Sequence, residues 1–138
     1  MTPGPYRLTL PERRTTGVIF ASPHSGSHYP RDFLSRSVLG DKSIRSSEDA
    51  FVDVLLERVT DHGAPLLAAV APRAFVDLNR ACDELDPALI EGFRAPAHNP
   101  RVASGLGVVP RVVSGGRAIY SGKRSEEHTS ELQSLRTI

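Results

Sequence analysis

Several features that this 138-residue chain lacks limit what it can be. Cys82 is the single cysteine, so the chain has no internal disulfide framework and no multi-cysteine metal cage. Basic residues number 17 and acidic residues 16, and a formal charge of +1 argues against a nucleic-acid reader. The longest nearly continuous apolar stretch, residues 64–72, falls far short of the roughly 20 residues that span a bilayer. We therefore predict no nucleic-acid partner and no membrane span.

The first ten residues also lack the basic and apolar regions of a secretory signal, which favours a cytoplasmic location. The remaining composition is that of a globular protein, with 39% hydrophobic and 24% charged residues. Its 11 glycines and 11 prolines predict many turns. The length favours one domain.

Short apolar runs on either side of a helical pattern predict an α/β fold. Residues 17–21 form a β-branched and aromatic run that ends at a loop, as in a buried strand. Apolar residues then recur at helical spacing over about 47–61, and further strands are predicted at 66–70 and 74–78. Strand, helix and strand in this order are typical of an α/β domain.

The predicted helix has start and stop signals. An N-cap at residues 46–47 is followed by acids in the first turn, and Gly63 and Pro65 end the helix. Asp49 would then be the third helical residue, where a capping role competes evenly with a ligand role. Glu48 points elsewhere around the helix and is predicted to be solvated.

The second half of the chain is rich in loops. Residues 87–91 are predicted to form a short helix, and 93–107 a long loop. Residues 108–113 and 117–120 are predicted to pair as a hairpin. Residues 124–134 resemble the translation of a common sequencing-adapter oligonucleotide. We therefore predict a domain over 1–123 and a non-native polar tail over 124–138, the alternative being a genuine polar helix.

Histidine and arginine stand at two places where α/β folds carry chemistry. His24 follows the first predicted strand, and loops at the carboxyl ends of strands often present ligands. A lone histidine there is more often a locally bonded loop residue, and His28 could equally be the useful imidazole. Asp77, on the last predicted strand, should pair with an arginine or accept backbone N–H bonds, since burying its charge alone is costly.

The segment around Asp77 has two interpretations. One is an internal salt bridge from Asp77 to Arg73 or Arg80. The other is a carboxylate clamp, because the guanidinium fork binds carboxylates in bidentate fashion and Asn79 adds an amide donor.

Taken together, these motifs resemble those of one family in kind, order and separation. They are Ala-Ser-Pro-His-Ser-Gly at 21–26, Tyr-Pro at 29–30, Glu-Asp-Ala-Phe-Val-Asp at 48–53, Pro-Arg-Ala-Phe-Val-Asp-Leu-Asn-Arg at 72–80, Gly-Leu-Gly at 105–107 and Ile-Tyr at 119–120. Over roughly residues 15–123 the chain resembles the N-terminal half of the N-formylglutamate amidohydrolase family, relatives of zinc carboxypeptidases and aspartoacylases.

The resemblance implies a partial mixed-sheet α/β domain of the zinc-carboxypeptidase-like (phosphorylase/hydrolase-like) type. It implies metal-dependent hydrolysis of a small N-acyl amino acid, N-formyl-L-glutamate, to formate and L-glutamate in histidine degradation. By similarity, His24 and Asp49 would bind Zn²⁺ or another divalent metal. Arg73 would act on the scissile carbonyl as a catalytic residue, and Asn79 and Arg80 would bind a substrate carboxylate.

Two departures from the family pattern bear on activity. The carboxypeptidase relatives use His-x-x-Glu, whereas Ser27 stands three residues after His24. The family is roughly twice as long, and its later half carries a further histidine motif and the expected general base. The resemblance therefore implies a truncated, inactive fragment. Alternatives are an aspartoacylase-like or succinyl-amino-acid deacylase-like hydrolase, and a non-catalytic module that binds small carboxylates.

Overall fold

The structure, a computed structural model, describes residues 3–95 and 97–122. Its strands and α-helices, in chain order, are β1 Tyr6–Thr9, β2 Phe20–Ser22, α1 Arg31–Arg36, α2 Asp41–Ile44, α3 Val52–Leu56, β3 Leu66–Ala69, α4 Pro100–Ala103, β4 Val112–Val113 and β5 Arg117–Ala118. Segments of 3₁₀-helix occupy Glu57–His62 and Ser114–Gly116. The predicted tail, 124–138, lies outside the described residues.

β1, β3 and β2 lie side by side in this order as a mixed sheet. β2 pairs with β3 in parallel, with Ala21 beside Leu67, and β1 pairs antiparallel, with Leu8 opposite Leu67. Parallel neighbours need a crossover, and α1, α2 and α3 lie in the connection between β2 and β3. This arrangement confirms the predicted mixed-sheet α/β fold. β1 is absent from the predicted elements.

The helix predicted over 47–61 is wrong in its start and in its buried face. Helical geometry begins only at Val52, because Phe51 has a φ of 66°, a left-handed conformation that is unfavourable for a bulky side chain. Phe51 and Leu55 are 73% and 81% exposed, so the apolar stripe is not buried. The predicted end is confirmed, since Gly63 adopts a φ of 79° at the C-cap.

The strand predicted over 74–78 is also wrong. The backbone N–H groups of Phe75 and Val76 both donate to the carbonyl of Pro72, which makes this segment a turn. The difference matters for charge pairing. An extended strand would separate Arg73 from Asp77 by about 13 Å, whereas a turn brings them together.

The structure of residues 87–118 agrees with the predictions in part. Residues 87–91 form a turn rather than a helix, and the predicted loop over 93–107 contains α4. The Asn99 side chain caps α4 by accepting backbone N–H bonds from Arg101 and Val102. β4 and β5 pair antiparallel as the predicted hairpin.

The apolar core lies between α1 and the segments that follow β3. Phe33 of α1 is 1% exposed and packs against the rings of Phe75 and Tyr120, with centroids 5.2 and 6.4 Å away. Ile119 is fully buried in the same cluster. This packing holds the turn at 72–76 in place. Among residues 3–95 and 97–122, no helix has the length and apolarity to cross a bilayer.

Candidate functional site

The loop that carries His24 is fixed against the strand-end segment beside it. β2 ends at Ser22, whose hydroxyl donates to that of Ser25 at 2.7 Å, and both serines are buried. A Cβ at Gly26 would collide with the carbonyl of Ala71, so only glycine allows this close approach. His24 is thereby held at the carboxyl end of a strand, as its sequence position predicts.

The two ring nitrogens of His24 face two carboxylates. Nε2 lies 2.8 Å from Oδ1 of Asp77, and Nδ1 lies 3.7 Å from Oδ2 of Asp49. The His24 side chain is 12% exposed and that of Asp49 56%. The backbone N–H of Asp49 donates to the carbonyl of His24 at 2.8 Å, which ties the two segments together. Asp49 lies before α3 and is not its third residue.

Asp77 is the centre of the cluster and is only 1% exposed. Its Oδ2 lies 3.3 Å from Nε of Arg73 and 3.9 Å from Nη2 of Arg80. Its Oδ1 also accepts the backbone N–H of Asn79 at 2.9 Å. The prediction that Asp77 pairs with arginine or accepts backbone N–H bonds is therefore confirmed. Partners on both oxygens offset the cost of burying the carboxylate.

The Arg80 guanidinium is held from two further directions. Nε donates to the carbonyl of Leu106 at 3.0 Å, and Nη1 donates to the carbonyl of Asn79 at 2.8 Å. The Arg80 side chain is 10% exposed, whereas Asn79 is exposed. Asp77, Asn79 and Arg80 are among the residues that line a cavity of about 1110 Å³. His24 and Arg73 contact Asp77 but do not line this cavity.

The prediction that Glu48 is solvated is wrong. Its side chain is 11% exposed, and Oε2 accepts the hydroxyl of Tyr29 at 2.7 Å. The same oxygen pairs with Nη1 of Arg45 at 3.3 Å, and the Arg45 guanidinium lies 4.3 Å from the Tyr29 ring centroid. Glu48 directly precedes Asp49, so this cluster fixes the turn that presents the Asp49 carboxylate. Local spacing gives no signal of it, because Tyr29 and Glu48 are 19 residues apart.

Burial, and then the hydrogen bond to Glu48, raise the pKa of Tyr29 above its ordinary value of 10.0. Above pH 10 the unfolded chain loses this proton and the folded protein retains it. We therefore expect the free energy of unfolding to fall by up to about 1.4 kcal/mol per pH unit from this group. Tyr29→Phe should remove this slope in urea titrations. At neutral pH it should cost roughly 1.5–3 kcal/mol, since it removes a hydrogen bond to a charged group.

Tyr6→Phe is the matched control for this prediction. Tyr6 is 43% exposed on β1, and the substitution should leave both the neutral stability and the alkaline slope close to those of the unsubstituted chain. Equal alkaline slopes for Tyr29→Phe and the unsubstituted chain would contradict the prediction.

The structure brings His24, Asp49, Arg73 and Arg80 together around Asp77, while the exposed Asn79 contributes its backbone. His28, the alternative imidazole, is exposed. Within the described ranges, no group of three or more histidine, cysteine, aspartate or glutamate side chains is arranged to hold a metal ion. Two electron-pair donors, Nδ1 of His24 and Oδ2 of Asp49, nevertheless face each other.

The donor pair has the chemistry of metal ligands. Because Nε2 of His24 donates to a carboxylate, the neutral ring keeps its lone pair on Nδ1, directed towards Asp49. Facing donors of this kind favour a cation such as zinc between them. A carboxylate on the far nitrogen is also the usual companion of a metal-binding histidine. The pair fits part of a zinc site, which normally has three protein ligands.

Comparison with known proteins matches the chain to a protein family and to solved structures. The profile of the family described as N-formylglutamate amidohydrolase matches residues 16–135. A crystal structure of N-formylglutamate amidohydrolase from Ralstonia eutropha JMP134 superposes with a TM-score of 0.80 at 36% sequence identity. The match covers 92% of this chain and 45% of that one, so this chain spans less than half the length of that relative. A comparison with curated proteins gives no match.

Proposed function

The chain belongs to the N-formylglutamate amidohydrolase family, and on this premise we propose that it forms part of a hydrolase that converts N-formyl-L-glutamate to formate and L-glutamate. The observation that carries the proposal is the convergence of an imidazole and two guanidinium groups on the buried Asp77. Amide hydrolysis needs groups that hold a nucleophile, stabilise an oxyanion and orient the substrate. The residue types in this cluster supply such groups.

We assign His24 and Asp49 to a divalent metal, zinc being the first choice. Zinc polarises a carbonyl and lowers the pKa of a bound water to about 7. The chain's own contribution is orientation. Asp77 accepts a hydrogen bond from the Nε2–H group and so fixes both the tautomer and the ring plane of His24. Asp77 is thus a positioning residue that acts through His24.

Arg73 is assigned to the developing negative charge on the carbonyl oxygen. Its Nε lies 3.3 Å from Oδ2 of Asp77, and its side chain is 25% exposed, so Arg73 is only partly buried. A fixed cationic donor stabilises a tetrahedral oxyanion more than a neutral amide, and this difference lowers the barrier. The ion pair with Asp77 holds Arg73 in place before substrate arrives.

Arg80 and Asn79 are assigned to a substrate carboxylate. Arginine has five N–H donors, and the bonds to Leu106 and Asn79 occupy only part of the fork. Arg80 and the exposed Asn79 both line the cavity. A carboxylate suits this fork because it can accept two parallel bonds.

The test uses a fusion protein, in which residues 1–122 of this chain are joined to the part of the Ralstonia eutropha relative that this chain does not cover. We expect it to release formate from N-formyl-L-glutamate and to bind zinc. His24→Ala should lower formate release by about 100-fold or more, because even partners of metal ligands are worth 10- to 100-fold. Formate release and metal content are measured on the same samples.

His28→Ala is the matched control, since it removes the exposed imidazole of the same loop and should leave both readouts unchanged. Release of acetate from N-acetyl-L-aspartate in place of formate would favour the aspartoacylase-like alternative. Equal formate release by His24→Ala and the unsubstituted fusion would overturn the proposal.

The 138-residue chain by itself is expected to release no formate. His24 and Asp49 provide two ligands, and the described residues add no third one to the group. We place the reaction in histidine breakdown and in the cytoplasm, as the family resemblance and the sequence predict. Formate release by the isolated chain at the rate of the relative would contradict the expected inactivity of the 138-residue chain.

A further inference from the structure

The Gly-Leu-Gly segment at 105–107 supplies a backbone acceptor to Arg80. The carbonyl of Leu106 accepts the Nε–H group of Arg80 at 3.0 Å. Nη1 of the same guanidinium donates to the carbonyl of Asn79, and Nη2 lies 3.9 Å from the Asp77 carboxylate. Each nitrogen of the fork therefore has a protein partner, and of these three partners Leu106 alone is distant in sequence.

Backbone hydrogen bonds on both sides fix the direction of the Leu106 carbonyl. The N–H of Leu106 donates to the carbonyl of Arg101 at 2.8 Å, which ties it to α4. Val108 is bonded twice, since its N–H donates to the carbonyl of Glu84 and its carbonyl accepts the N–H of Asp77, both at 2.8 Å. The acceptor for Arg80 is therefore held between α4 and the turn that carries Asp77.

Gly107 allows this segment to approach Glu84 closely. Gly107 is buried, and a Cβ on it would lie 2.5 Å from the carbonyl oxygen of Glu84. Because that oxygen belongs to the backbone, alanine at 107 would force the two segments apart and displace the Leu106 carbonyl. The position of this carbonyl thus depends on glycine at 107.

The Glu84 side chain reinforces the same arrangement. Its Oε2 accepts the backbone N–H of Ala81 at 2.8 Å, and its Oε1 accepts Nδ2 of Asn99 at 2.9 Å. The hydrogen bond from Asn99, and then that from Ala81, lower the pKa of Glu84, so the carboxylate stays charged at neutral pH. Asn99 also caps α4. Glu84 therefore ties the residue after Arg80 to the helix that leads into residues 105–107.

We propose that Gly107 and Glu84 are positioning residues for the substrate carboxylate, because they fix the Leu106 carbonyl that orients the Arg80 guanidinium. A long side chain loses rotamer freedom when it binds a ligand, and a fork that is already held in place loses less. The fixed acceptor thereby favours carboxylate binding without touching the substrate. The role in substrate binding rests on the proposed function, whereas the orientation of Arg80 is a property of the 138-residue chain by itself.

The first experiment follows Arg80 by NMR in the full 138-residue chain, with Arg80→Lys identifying its Nε–H signal. We expect this proton to exchange slowly with water because it is bonded to Leu106. Gly107→Ala should speed the exchange about tenfold or more, the factor expected for loss of a hydrogen bond to a charged group. Urea titration of each variant verifies that it is folded.

Two further variants keep this measurement decisive. Glu84→Ala should speed the exchange in the same direction, and it replaces Gly107→Ala if that variant does not fold. Gly17→Ala is the matched control, because a Cβ at Gly17 meets no atom within 4 Å and should leave the exchange unchanged. Unchanged exchange in the folded variants at 107 and 84 would overturn the inference.

The second experiment measures steady-state kinetics in the fusion protein. Gly107→Ala and Glu84→Ala should each raise KM for N-formyl-L-glutamate about tenfold and change kcat less. In an Arg80→Ala background, Gly107→Ala should leave KM unchanged, because its effect passes through Arg80. A further rise of KM in that background, or a fall of kcat with unchanged KM, would show a merely structural role and contradict the inference.

The two experiments separate this inference from the proposed function. Faster exchange of the Arg80 proton in Gly107→Ala, together with a fusion protein that releases no formate, would support the orientation of Arg80 and contradict the proposed function. Formate release with KM unaffected by both substitutions would support the proposed function and contradict the inference.

Discussion

Replacing Asp77 with alanine is expected to lower the free energy of unfolding of the 138-residue chain by about 3–5 kcal/mol. The substitution removes the acceptor for His24 and the carboxylate that pairs with the guanidinium groups of Arg73 and Arg80. Breaking a buried ion pair from one side costs far more than removing the whole pair, because the remaining charge stays desolvated. Urea unfolding at neutral pH measures the effect.

Two variants separate charge from shape at this position. Asp77→Asn keeps an acceptor for the Asn79 N–H but removes the charge, so its loss of stability should be smaller than that of the alanine variant while remaining large. Asp83→Ala removes an exposed aspartate of the same region and should change stability by about 0.5 kcal/mol at most. If Asp77→Ala costs no more than Asp83→Ala, the pairing around Asp77 contributes nothing to stability.

In the fusion protein, Arg73→Ala is expected to lower kcat for N-formyl-L-glutamate by roughly 10²–10³-fold, the usual loss when one oxyanion donor is removed. The reason is that this guanidinium is assigned to charge that develops only in the transition state. KM should change little, since ground-state binding is assigned to Asn79 and Arg80. Steady-state kinetics of formate release measure both constants.

Arg80→Ala provides the contrast, because it should raise KM more than it lowers kcat. Arg73→Lys should recover part of kcat, since it restores a positive charge without the planar fork. All variants are compared at equal folded fraction, as Arg73 and Arg80 also pair with Asp77. A rise in KM with unchanged kcat in Arg73→Ala would contradict its assignment to the carbonyl oxygen.

The contacts of Asp77 connect the stability prediction with the catalytic one. The same carboxylate neutralises the two arginines and orients His24, so the folded core and the candidate site share one group. The cost of burying that charge is met by side chains that are themselves assigned to the reaction. Loss of Asp77 is thus expected to affect folding and, in the fusion protein, metal affinity together.

Local patterns identified several parts of the fold correctly. The apolar run at Leu66–Ala69 forms the predicted strand with three of its four residues buried, and Gly63 ends the segment before it because glycine accepts a positive φ. The hairpin of β4 and β5 follows from the glycines between them. The strand prediction at 74–78 failed because tertiary packing determined the backbone there. The segment is a turn, and the ring of Phe75 packs against Phe33. The zinc-carboxypeptidase-like type of the fold stays a prediction.

For the candidate site, too, some features follow from the sequence and others only from the tertiary structure. Its residue types and their order along the chain are fixed by the sequence, and these were enough to identify the family, the mixed-sheet α/β class and the pairing of Asp77 with arginine. Which groups touch was decided only by the tertiary structure. It turns residues 73–77 so that Arg73 reaches Asp77, and it places His24 between two carboxylates from distant segments. It also brings Glu48 within hydrogen-bond distance of Tyr29. The physical reason is that hydrophobic periodicity reports local geometry, whereas charge pairing depends on distances that only the packed chain sets.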